Sequence, residues 1–462
     1  MKSLLVFLLA AAAFAKDPYF FQKPYIQLGD RPKLAASEGL DLMWIGYDKQ
    51  LNWTVEYGSA AKWEKSEAKL MRRVEVPGTE AHRVYRAMLS NLTPGSTINY
   101  RVLVDGKQVF TSTALARKPA TADTHFVVFG DCAAGTEAQK AVAYHVAAQK
   151  PDYIFIAGDI VYSRGRVSEY QEKFWPIYNA DSTSLKDGAP LLRSVLFTPV
   201  VGNHDSGLEV DFDAIPDSLA YYYYWSLPLN GVNPKAAAQT PNIKGSEAAR
   251  KRFFDANTNF PVMANFSFDY GNVHWTVLDS NPYVDWTSPE FREWVRKDLK
   301  AAAGARWRIV GFHHPPFNSA RAHFKDQRMR VLADVFEEGK VDLVMAGHVH
   351  NYQRTWPMKF SMQQGFVLGR NNEVPGKWTL DKNFDGATNT KPNGVLYIIS
   401  GAGGANLYDP EQNGDPKQWQ EFTTKFVSDT HSFSVLDAGQ EQLKLRQISS
   451  TGLQLDSITI TK

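Results

Sequence analysis

The chain has 462 residues, of which 44% are hydrophobic and 22% are charged, and its formal net charge is +2. This composition is typical of a globular protein large enough for two or more domains. So small a net charge gives no reason to expect a nucleic acid or an anionic membrane as partner. The one cysteine, Cys132, excludes an intramolecular disulfide, so the fold must depend on its core.

Residues 1–15 have the pattern of a secretory signal peptide. Lys2 precedes an apolar run over residues 4–14, and Ala13-Phe14-Ala15 provides a small-x-small cleavage site. The run is too short to span a bilayer, and no later stretch approaches ~20 apolar residues. We therefore expect an exported protein, secreted or periplasmic, without a membrane span.

Residues 16–120 predict an N-terminal all-β sandwich. Short alternating runs over 40–45, 53–57, 82–87 and 98–104 are separated by turn signals such as Asp105-Gly106. The segment Leu92-Thr93-Pro94-Gly95-Ser96 resembles the corner between strands E and F of fibronectin type III domains. A linker near residues 117–120 closes this predicted domain, in which no side chain indicates catalysis.

Residues 121–462 have the alternating strands and helices of an α/β domain. Helices are predicted over residues 136–149, 168–178, 246–255, 288–302 and 326–338. Two loop-rich insertions are predicted at about 206–261 and 358–393. The tyrosine run at residues 221–224 has two interpretations, a rim of a substrate pocket or aromatic packing within the first insertion.

Five predicted strands end in polar residues that can bind a metal ion. These residues are Asp131, Asp159, Asn203, His313, and His348 with His350. In an α/β sheet, groups just past the carboxyl ends of the strands gather along one edge, where ligands bind. The sequence therefore predicts a metal site at that edge.

The mixture of donors predicts two ions. Imidazole suits zinc, iron or manganese, whereas carboxylates suit harder ions. Asp159 can bridge two ions about 3.5–4 Å apart, and Tyr162 follows closely enough to bind one of them. His348 and His350 are two residues apart, so in an extended segment one ring could reach each ion.

These blocks resemble, in order, the metal-binding blocks of purple acid phosphatases, which are calcineurin-like metallophosphoesterases. The matching segments are Gly130-Asp131, Gly158-Asp159-x-x-Tyr162, Gly202-Asn203-His204-Asp205, Val310-x-x-His313 and Gly347-His348-x-His350. Plant-type members also carry an N-terminal β-sandwich. The resemblance implies a catalytic α/β metallophosphoesterase domain with two packed mixed β-sheets flanked by helices. The first block departs from the usual Asp-x-Gly, because Ala133 stands where the glycine is expected.

Carried over by position, the resemblance implies an Fe(III) ion and a divalent ion, which would be zinc, manganese or Fe(II). The implied iron ligands are Asp131, Asp159, Tyr162 and His350. The implied ligands of the divalent ion are Asp159, Asn203, His313 and His348. His314 is interpreted as an orienting or packing residue, because the Val-x-x-His frame selects His313.

The resemblance also implies a reaction, the hydrolysis of small phosphate monoesters by attack of a metal-bound hydroxide. Asn203, His204 and His323 would bind the substrate, and the two histidines would assist the leaving alcohol. Two alternatives stay open. The same dinuclear site could act on phosphodiesters, nucleotides or phytate, or the protein could be a cell-surface binding protein whose metal domain is vestigial.

Overall fold

The computed structural model describes residues 16–59, 62–234, 237–369 and 372–462, so the predicted signal peptide at 1–15 lies outside the described residues. The N-terminal strands are β1 Phe20–Gln27, β2 Glu38–Tyr47, β3 Trp53–Ser59, β4 Lys62–Glu67, β5 Lys69–Val74, β6 His82–Leu92, β7 Thr97–Val104 and β8 Lys107–Leu115. The remaining strands are β9 Thr124–Phe129, β10 Tyr153–Ile156, β11 Leu196–Pro199, β12 Glu209–Asp211, β13 Asn242–Lys244, β14 Phe266–Tyr270, β15 Val273–Val277, β16 Trp307–Gly311, β17 Leu343–Ala346, β18 Tyr352–Thr355, β19 Met358–Met362, β20 Gly376–Leu380, β21 Leu396–Ser400, β22 Thr423–Val427, β23 Ser432–Ala438, β24 Gln442–Ser449 and β25 Gln454–Thr461. The α-helices are α1 Glu137–Gln149, α2 Val167–Glu169, α3 Trp175–Tyr178, α4 Asn203–Ser206, α5 Ala220–Tyr224, α6 Glu247–Ala256, α7 Pro289–Ala301 and α8 Ala333–Glu338.

The N-terminal strands form two antiparallel four-stranded sheets, ordered β1-β2-β6-β5 and β4-β3-β7-β8. An aromatic core joins the two sheets: Trp44 of β2 packs on Trp53 of β3 with ring centroids 5.4 Å apart. The alternating runs thus form antiparallel sheets, as predicted. The likeness to fibronectin type III domains and the 16–120 boundaries remain predictions.

Two larger mixed sheets form the rest of the core. A six-stranded sheet has the order β11-β10-β9-β23-β24-β25, and a seven-stranded sheet has the order β14-β15-β16-β17-β21-β18-β22. The parallel strand β10 is an apolar run whose four residues are all buried, as expected for a strand covered on both faces. Phe155 of β10 stacks on Trp275 of β15 at 4.3 Å between ring centroids, so the two sheets pack against each other.

Helices α1 and α7 begin at capping residues within their predicted ranges. The Thr136 hydroxyl accepts the backbone N–H of Gln139 at the start of α1, and Ser288 caps α7 ahead of Pro289. The predicted helix over 168–178 is α2 and α3 joined by a π-helical turn. The one over 326–338 begins later, with a 3₁₀ turn that leads into α8.

Both predicted insertions contain more structure than their composition indicated. The second was expected to be loops, but β19 and β20 pair as an antiparallel hairpin within it. Phe360 on this hairpin is only 3% exposed, and its burial explains why the strand forms. In the first insertion, the tyrosine run is buried in α5, and Tyr224 lies with its hydroxyl 2.9 Å from His82 Nε2 of β6. The packing interpretation of the tyrosine run is therefore correct, and the pocket-rim interpretation is wrong.

The predicted linker is a buried contact between the N-terminal sheets and the rest of the chain. The Arg117 guanidinium pairs with Glu38 at 2.8 Å, and both side chains are 1% exposed. Arg117 also donates to the carbonyl oxygen of Asp269, at the end of β14. Within the described residues, no helix combines the length and apolarity needed to cross a membrane.

Candidate metal centre

The predicted donors meet where the edges of the two large sheets adjoin. Asp131, Asp159 and Asn203 follow β9, β10 and β11 of the six-stranded sheet, whereas His313 and His348 follow β16 and β17 of the seven-stranded sheet. The prediction of convergence at strand ends is correct. The prediction of a single sheet edge is wrong, because the long-range pairing that divides the strands between two sheets is not visible in local patterns.

Three donors surround the Tyr162 phenol. The Tyr162 hydroxyl lies 3.0 Å from Asp131 Oδ1, 3.2 Å from Asp159 Oδ2 and 3.0 Å from His350 Nε2. A phenol has one hydrogen and can satisfy only one of these acceptors at a time. We call Asp131, Asp159, Tyr162 and His350 the Tyr162 group.

A second set of donors surrounds His313. Its Nε2 lies 3.0 Å from Asn203 Oδ1 and 3.2 Å from Asp159 Oδ1, and its ring centroid is 5.0 Å from that of His348. We call Asp159, Asn203, His313 and His348 the His313 group. Asp159 thus belongs to both groups, with Oδ2 facing Tyr162 and Oδ1 facing His313. Asp131, Asp159 and His313 offer ligand atoms within 4.8 Å of one another, a spacing that could hold an ion.

Two ring nitrogens are prepared to accept a cation. His313 Nδ1 lies 2.8 Å from the carbonyl oxygen of Ala157, and His350 Nδ1 lies 2.6 Å from that of Asn406. A carbonyl can only accept, so both Nδ1 atoms carry hydrogen, and in both rings Nε2 is the nitrogen that would bind a cation in place of its own hydrogen. His348 Nε2 is buried without a hydrogen-bond partner. The chemistry of these donors fits metal ions.

The backbone turns sharply at three of the donors. Asp131, Asp159 and His348 have φ values of 57°, 49° and 67°, in the left-handed region that non-glycine residues adopt at a cost of about 1–3 kcal/mol. The sequence suggested an extended segment for His348 and His350. The chain instead turns at His348. The rings still separate, with His350 in the Tyr162 group and His348 beside His313.

Close backbone approach around Asp159 requires glycine. A Cβ on Gly158 would lie 2.5 Å from His313 Nδ1, and a Cβ on Gly202 would lie 2.1 Å from Asp159 Oδ1. The glycines that precede Asp159 and Asn203 are thus required because any larger residue would overlap a neighbouring donor.

Asp205 positions two of these turns, and the sequence had given it no role. Its carboxylate accepts the backbone N–H of Ile160 at 3.0 Å and that of Gly202 at 2.9 Å. It therefore ties the Asp159 turn to the turn that carries Asn203. Burial, together with the negative charge of Asp159, raises the pKa of Asp205 to about 7.

The end of β15 contributes a further strand terminus that sequence reasoning missed. Asp279-Ser280-Asn281 follows this strand, and the Ser280 hydroxyl accepts the backbone N–H of His313 at 3.1 Å. Asn281 donates to the carbonyl oxygen of Gly202 at 3.3 Å. The sequence pattern that predicted the other five strand ends, a polar residue directly after an apolar run, is also present here.

The predicted outer histidines border the two groups. His204 Nδ1 lies 2.9 Å from the Ser163 carbonyl oxygen, so Nε2 is the free nitrogen, and it lies 3.8 Å from Asp159 Oδ2. The His323 ring centroid lies 4.1 Å from that of His348. Burial and the neighbouring His348 lower the pKa of His323 to about 4.

Other neighbours hold the ligand segments in place. The Tyr408 ring stacks on His350 with centroids 4.0 Å apart, and Asp326 Oδ2 lies 3.5 Å from His348 Nε2. Behind His350, the Asp456 carboxylate accepts the Tyr352 hydroxyl at 2.8 Å and the Arg354 Nε–H at 2.7 Å. Asp456 lies on β25, far along the chain, and no local pattern connected it with the His350 segment.

The charges of the central pair are opposite. Burial alone would raise the pKa of Asp159, but the neighbouring His313 outweighs it and holds that pKa well below its usual value. Burial would lower the pKa of His313, and Asp159 instead raises it to about 9. Burial and the two nearby carboxylates raise the pKa of the Tyr162 phenol well above its usual value. The centre is thus rich in negative charge that a cation would stabilise.

Two mixed sheets that bring carboxylate, amide and imidazole donors together at their strand ends define the class of the metallophosphoesterases. Comparison with known families matches residues 120–352, half of the 462 residues, to the family described as Calcineurin-like phosphoesterase. The chain belongs to the calcineurin-like phosphoesterase family.

Individual relatives and solved structures are similar to this chain over much of its length. Purple acid phosphatase 22 of Arabidopsis thaliana is 22% identical over 329 residues, a match that covers 70% of this chain and 65% of that protein. The match thus spans less than two thirds of that relative's length.

Among solved structures, purple acid phosphatase PPD1 from yellow lupin (Lupinus luteus) superposes with a TM-score of 0.62 and 18% identity, covering 95% of this chain and 74% of that one. A structure of PhoD superposes with a TM-score of 0.56 and 14% identity, covering 97% and 94%. Both structures share the fold.

Proposed function

We propose that this protein is an exported acid phosphatase that holds two metal ions and hydrolyses phosphate monoesters. The observation that carries the proposal is the position of Asp159. Its two carboxylate oxygens face different donor groups, 3.2 Å from the Tyr162 hydroxyl on one side and 3.2 Å from His313 Nε2 on the other. One carboxylate can therefore bridge two cations, the arrangement used in two-metal phosphoryl chemistry.

The ligand assignment follows the two groups. The Tyr162 group would hold Fe(III), because a phenolate binds best to a strong Lewis acid. The His313 group, with its neutral amide and two imidazoles, would hold zinc, manganese or Fe(II). When bound, the ions would neutralise the negative charge of the phosphate and lower the pKa of water.

The chain's own residues would bind and orient the ester. His204 has its free Nε2 beside Asp159, and its side chain is 33% exposed, so it can reach a phosphate oxygen. His323 borders a cavity of about 630 Å³ that also involves Ser319, Arg321 and Gln420. This cavity would accept the leaving alcohol, and His323 would stabilise it as the ester bond breaks.

Metal content and substrate preference test the proposal. We expect two ions per purified chain and faster hydrolysis, at acid pH, of p-nitrophenyl phosphate than of bis(p-nitrophenyl) phosphate. Faster cleavage of the bis-ester would instead support a phosphodiesterase with the same dinuclear site. Fewer than one ion per chain and no hydrolysis of either ester would support the binding-protein alternative.

The visible spectrum tests the iron assignment without using activity. A phenolate bound to Fe(III) gives a charge-transfer band, so we expect a purple protein whose band is absent from Tyr162→Phe. A colourless wild-type protein with both ions bound and full activity would mean that the iron assignment is wrong.

Export and domain organisation are part of the same proposal. Residues 1–15 would be removed during export, residues 16–120 would form a fibronectin type III-like domain, and residues 121–462 would form the catalytic domain. N-terminal sequencing of protein recovered outside the cytoplasm should begin at Lys16. A mature chain that retains Met1 would contradict the export step.

A further inference from the structure

His314 lies inside the candidate metal centre, although the sequence pattern selects its neighbour His313 as the ligand. The His314 side chain is buried, and its ring centroid lies 4.9 Å from that of His313 and 4.3 Å from that of His348. One nitrogen of each ring lies within 4.8 Å of the others, a spacing that could hold an ion. His314 could therefore be a third imidazole ligand, or it could have a different task in the same space.

The hydrogen bonds of Ser280 decide between these roles. The Ser280 hydroxyl oxygen accepts the backbone N–H of His313 at 3.1 Å and that of His314 at 2.9 Å. A hydroxyl has two lone pairs and one hydrogen, so both lone pairs are occupied. The same oxygen lies 2.8 Å from His314 Nδ1, and the only hydrogen bond left to it there is donation. Nδ1 of His314 is therefore the acceptor, and Nε2 carries the hydrogen.

This tautomer is the opposite of that found in the ligand histidines. His313 and His350 direct Nδ1 at carbonyl oxygens, which can only accept, so Nδ1 carries hydrogen in both rings and Nε2 is the nitrogen left to bind a cation. His314 directs Nδ1 at a hydroxyl that must donate. Its remaining nitrogen therefore offers a hydrogen to the shared space, where a cation would need a lone pair.

We propose that His314 does not bind the divalent ion but donates its Nε2–H to an oxygen of a phosphate group bound beside the His313 group. The proposal rests on the proposed function, because it requires phosphate to bind at that centre. No proton is transferred: a neutral imidazole donates a hydrogen bond to an anionic oxygen, and such charge-assisted bonds are strong. His314 is then a substrate-binding residue that the family's metal-binding blocks do not include.

The first test needs neither metal nor turnover. Long-range ¹⁵N–¹H correlation spectra of the metal-free protein report which nitrogen of each imidazole carries hydrogen. We expect hydrogen on Nε2 but not on Nδ1 of His314, hydrogen on Nδ1 of His313 in the same spectrum, and loss of the His314 preference in Ser280→Ala. An Nδ1–H tautomer at His314 would overturn the proposal.

The second test compares two substitutions at one position. His314→Gln keeps an amide N–H near the place of Nε2, whereas His314→Leu keeps similar bulk and removes the donor. In the metal-loaded protein, we expect His314→Leu to retain both ions and to bind inorganic phosphate, measured by calorimetry, about 10- to 100-fold more weakly than wild type, since a hydrogen bond to a charged group contributes about 1.5–3 kcal/mol. His314→Gln should recover a large part of that loss.

The outcomes separate the two proposals. Loss of one ion in His314→Leu would identify His314 as a ligand, and unchanged phosphate affinity would show that it does not contact phosphate; either result would overturn the role proposed for His314 while the proposed function stands. Wild-type protein that takes up no ions would instead overturn the proposed function, and the role of His314 with it.

Discussion

Asp159 is the residue on which the two donor groups depend, because it is the only described side chain that belongs to both. We expect Asp159→Asn to lose both ions, since the amide removes the negative charge that two cations would share. The measurement is metal content after purification by elemental analysis. Asp152, at the opposite end of β10, provides a matched control: Asp152→Asn should keep both ions, because its carboxylate contacts Lys118 and a backbone N–H of His125 instead. Full metal content in Asp159→Asn would refute the bridging role.

His204 should affect turnover without affecting metal binding. Its ring is anchored by the Ser163 carbonyl and leaves Nε2 free, and it is not among the donors of either group. We expect His204→Ala to keep both ions and to lower kcat for p-nitrophenyl phosphate about 10²- to 10⁴-fold, the usual effect of removing a proton-transferring side chain. His145→Ala on α1, a histidine away from the centre, is the control and should behave as wild type. A normal kcat in His204→Ala would leave His204 without a catalytic role.

At the level of single elements, the buried His274 of β15 predicts a pH-dependent stability. Its Nδ1 lies 2.6 Å from Asp269 Oδ1, and its Nε2 lies 3.0 Å from Asp298 Oδ2 on α7. Burial would lower the pKa of His274, but these two carboxylates outweigh it and raise the pKa above 6.5. The charged cluster therefore connects β14, β15 and α7.

The direction of this pH effect follows from the raised pKa. A group whose pKa is higher in the folded state stabilises that state fully below its unfolded pKa, and the contribution is lost as the pH rises through the folded value. We expect the free energy of unfolding in urea to exceed that of His274→Gln most clearly below about pH 6.5, and the difference to shrink towards alkaline pH. Asp298 has a lowered pKa, so its own contribution is lost only in strong acid and does not interfere. A difference that grows with pH would contradict this assignment.

Strand ends and donors could be predicted from sequence because both are local. An apolar run such as Tyr153–Ile156 predicts a buried strand. Asp159, which follows the next glycine, must then lie just past the end of that strand. The supporting residues could not be predicted in this way. Asp205 acts on backbone N–H groups, and Asp456 acts across more than a hundred positions, so no spacing of residue types reveals them.

Over the whole molecule, one hydrophobic core extends from the N-terminal sheets into the six-stranded sheet, with Trp44 and Phe126 in the same cluster. We therefore expect a single cooperative unfolding transition that reports both parts of the chain. Arg117→Met should lower the free energy of unfolding by about 3–5 kcal/mol, because it leaves Glu38 buried and unpaired. Lys118→Met is the matched control: its ion pair with Asp152 is partly exposed and should contribute about 0–1 kcal/mol. Two separate transitions in wild type would mean that the parts fold independently.

The support that Asp456 gives to Tyr352 and Arg354 has a consequence for biosynthesis. All seven proposed donors have left the ribosome once His350 has emerged, yet Asp456, which binds Tyr352 and Arg354 just after this last donor, is translated about a hundred residues later. The same holds for β23, which pairs with β9 in the middle of the sheet that carries Asp131. A nascent chain therefore cannot complete its centre during elongation, and a premature stop codon between positions 350 and 456 should be as damaging as the loss of a donor itself.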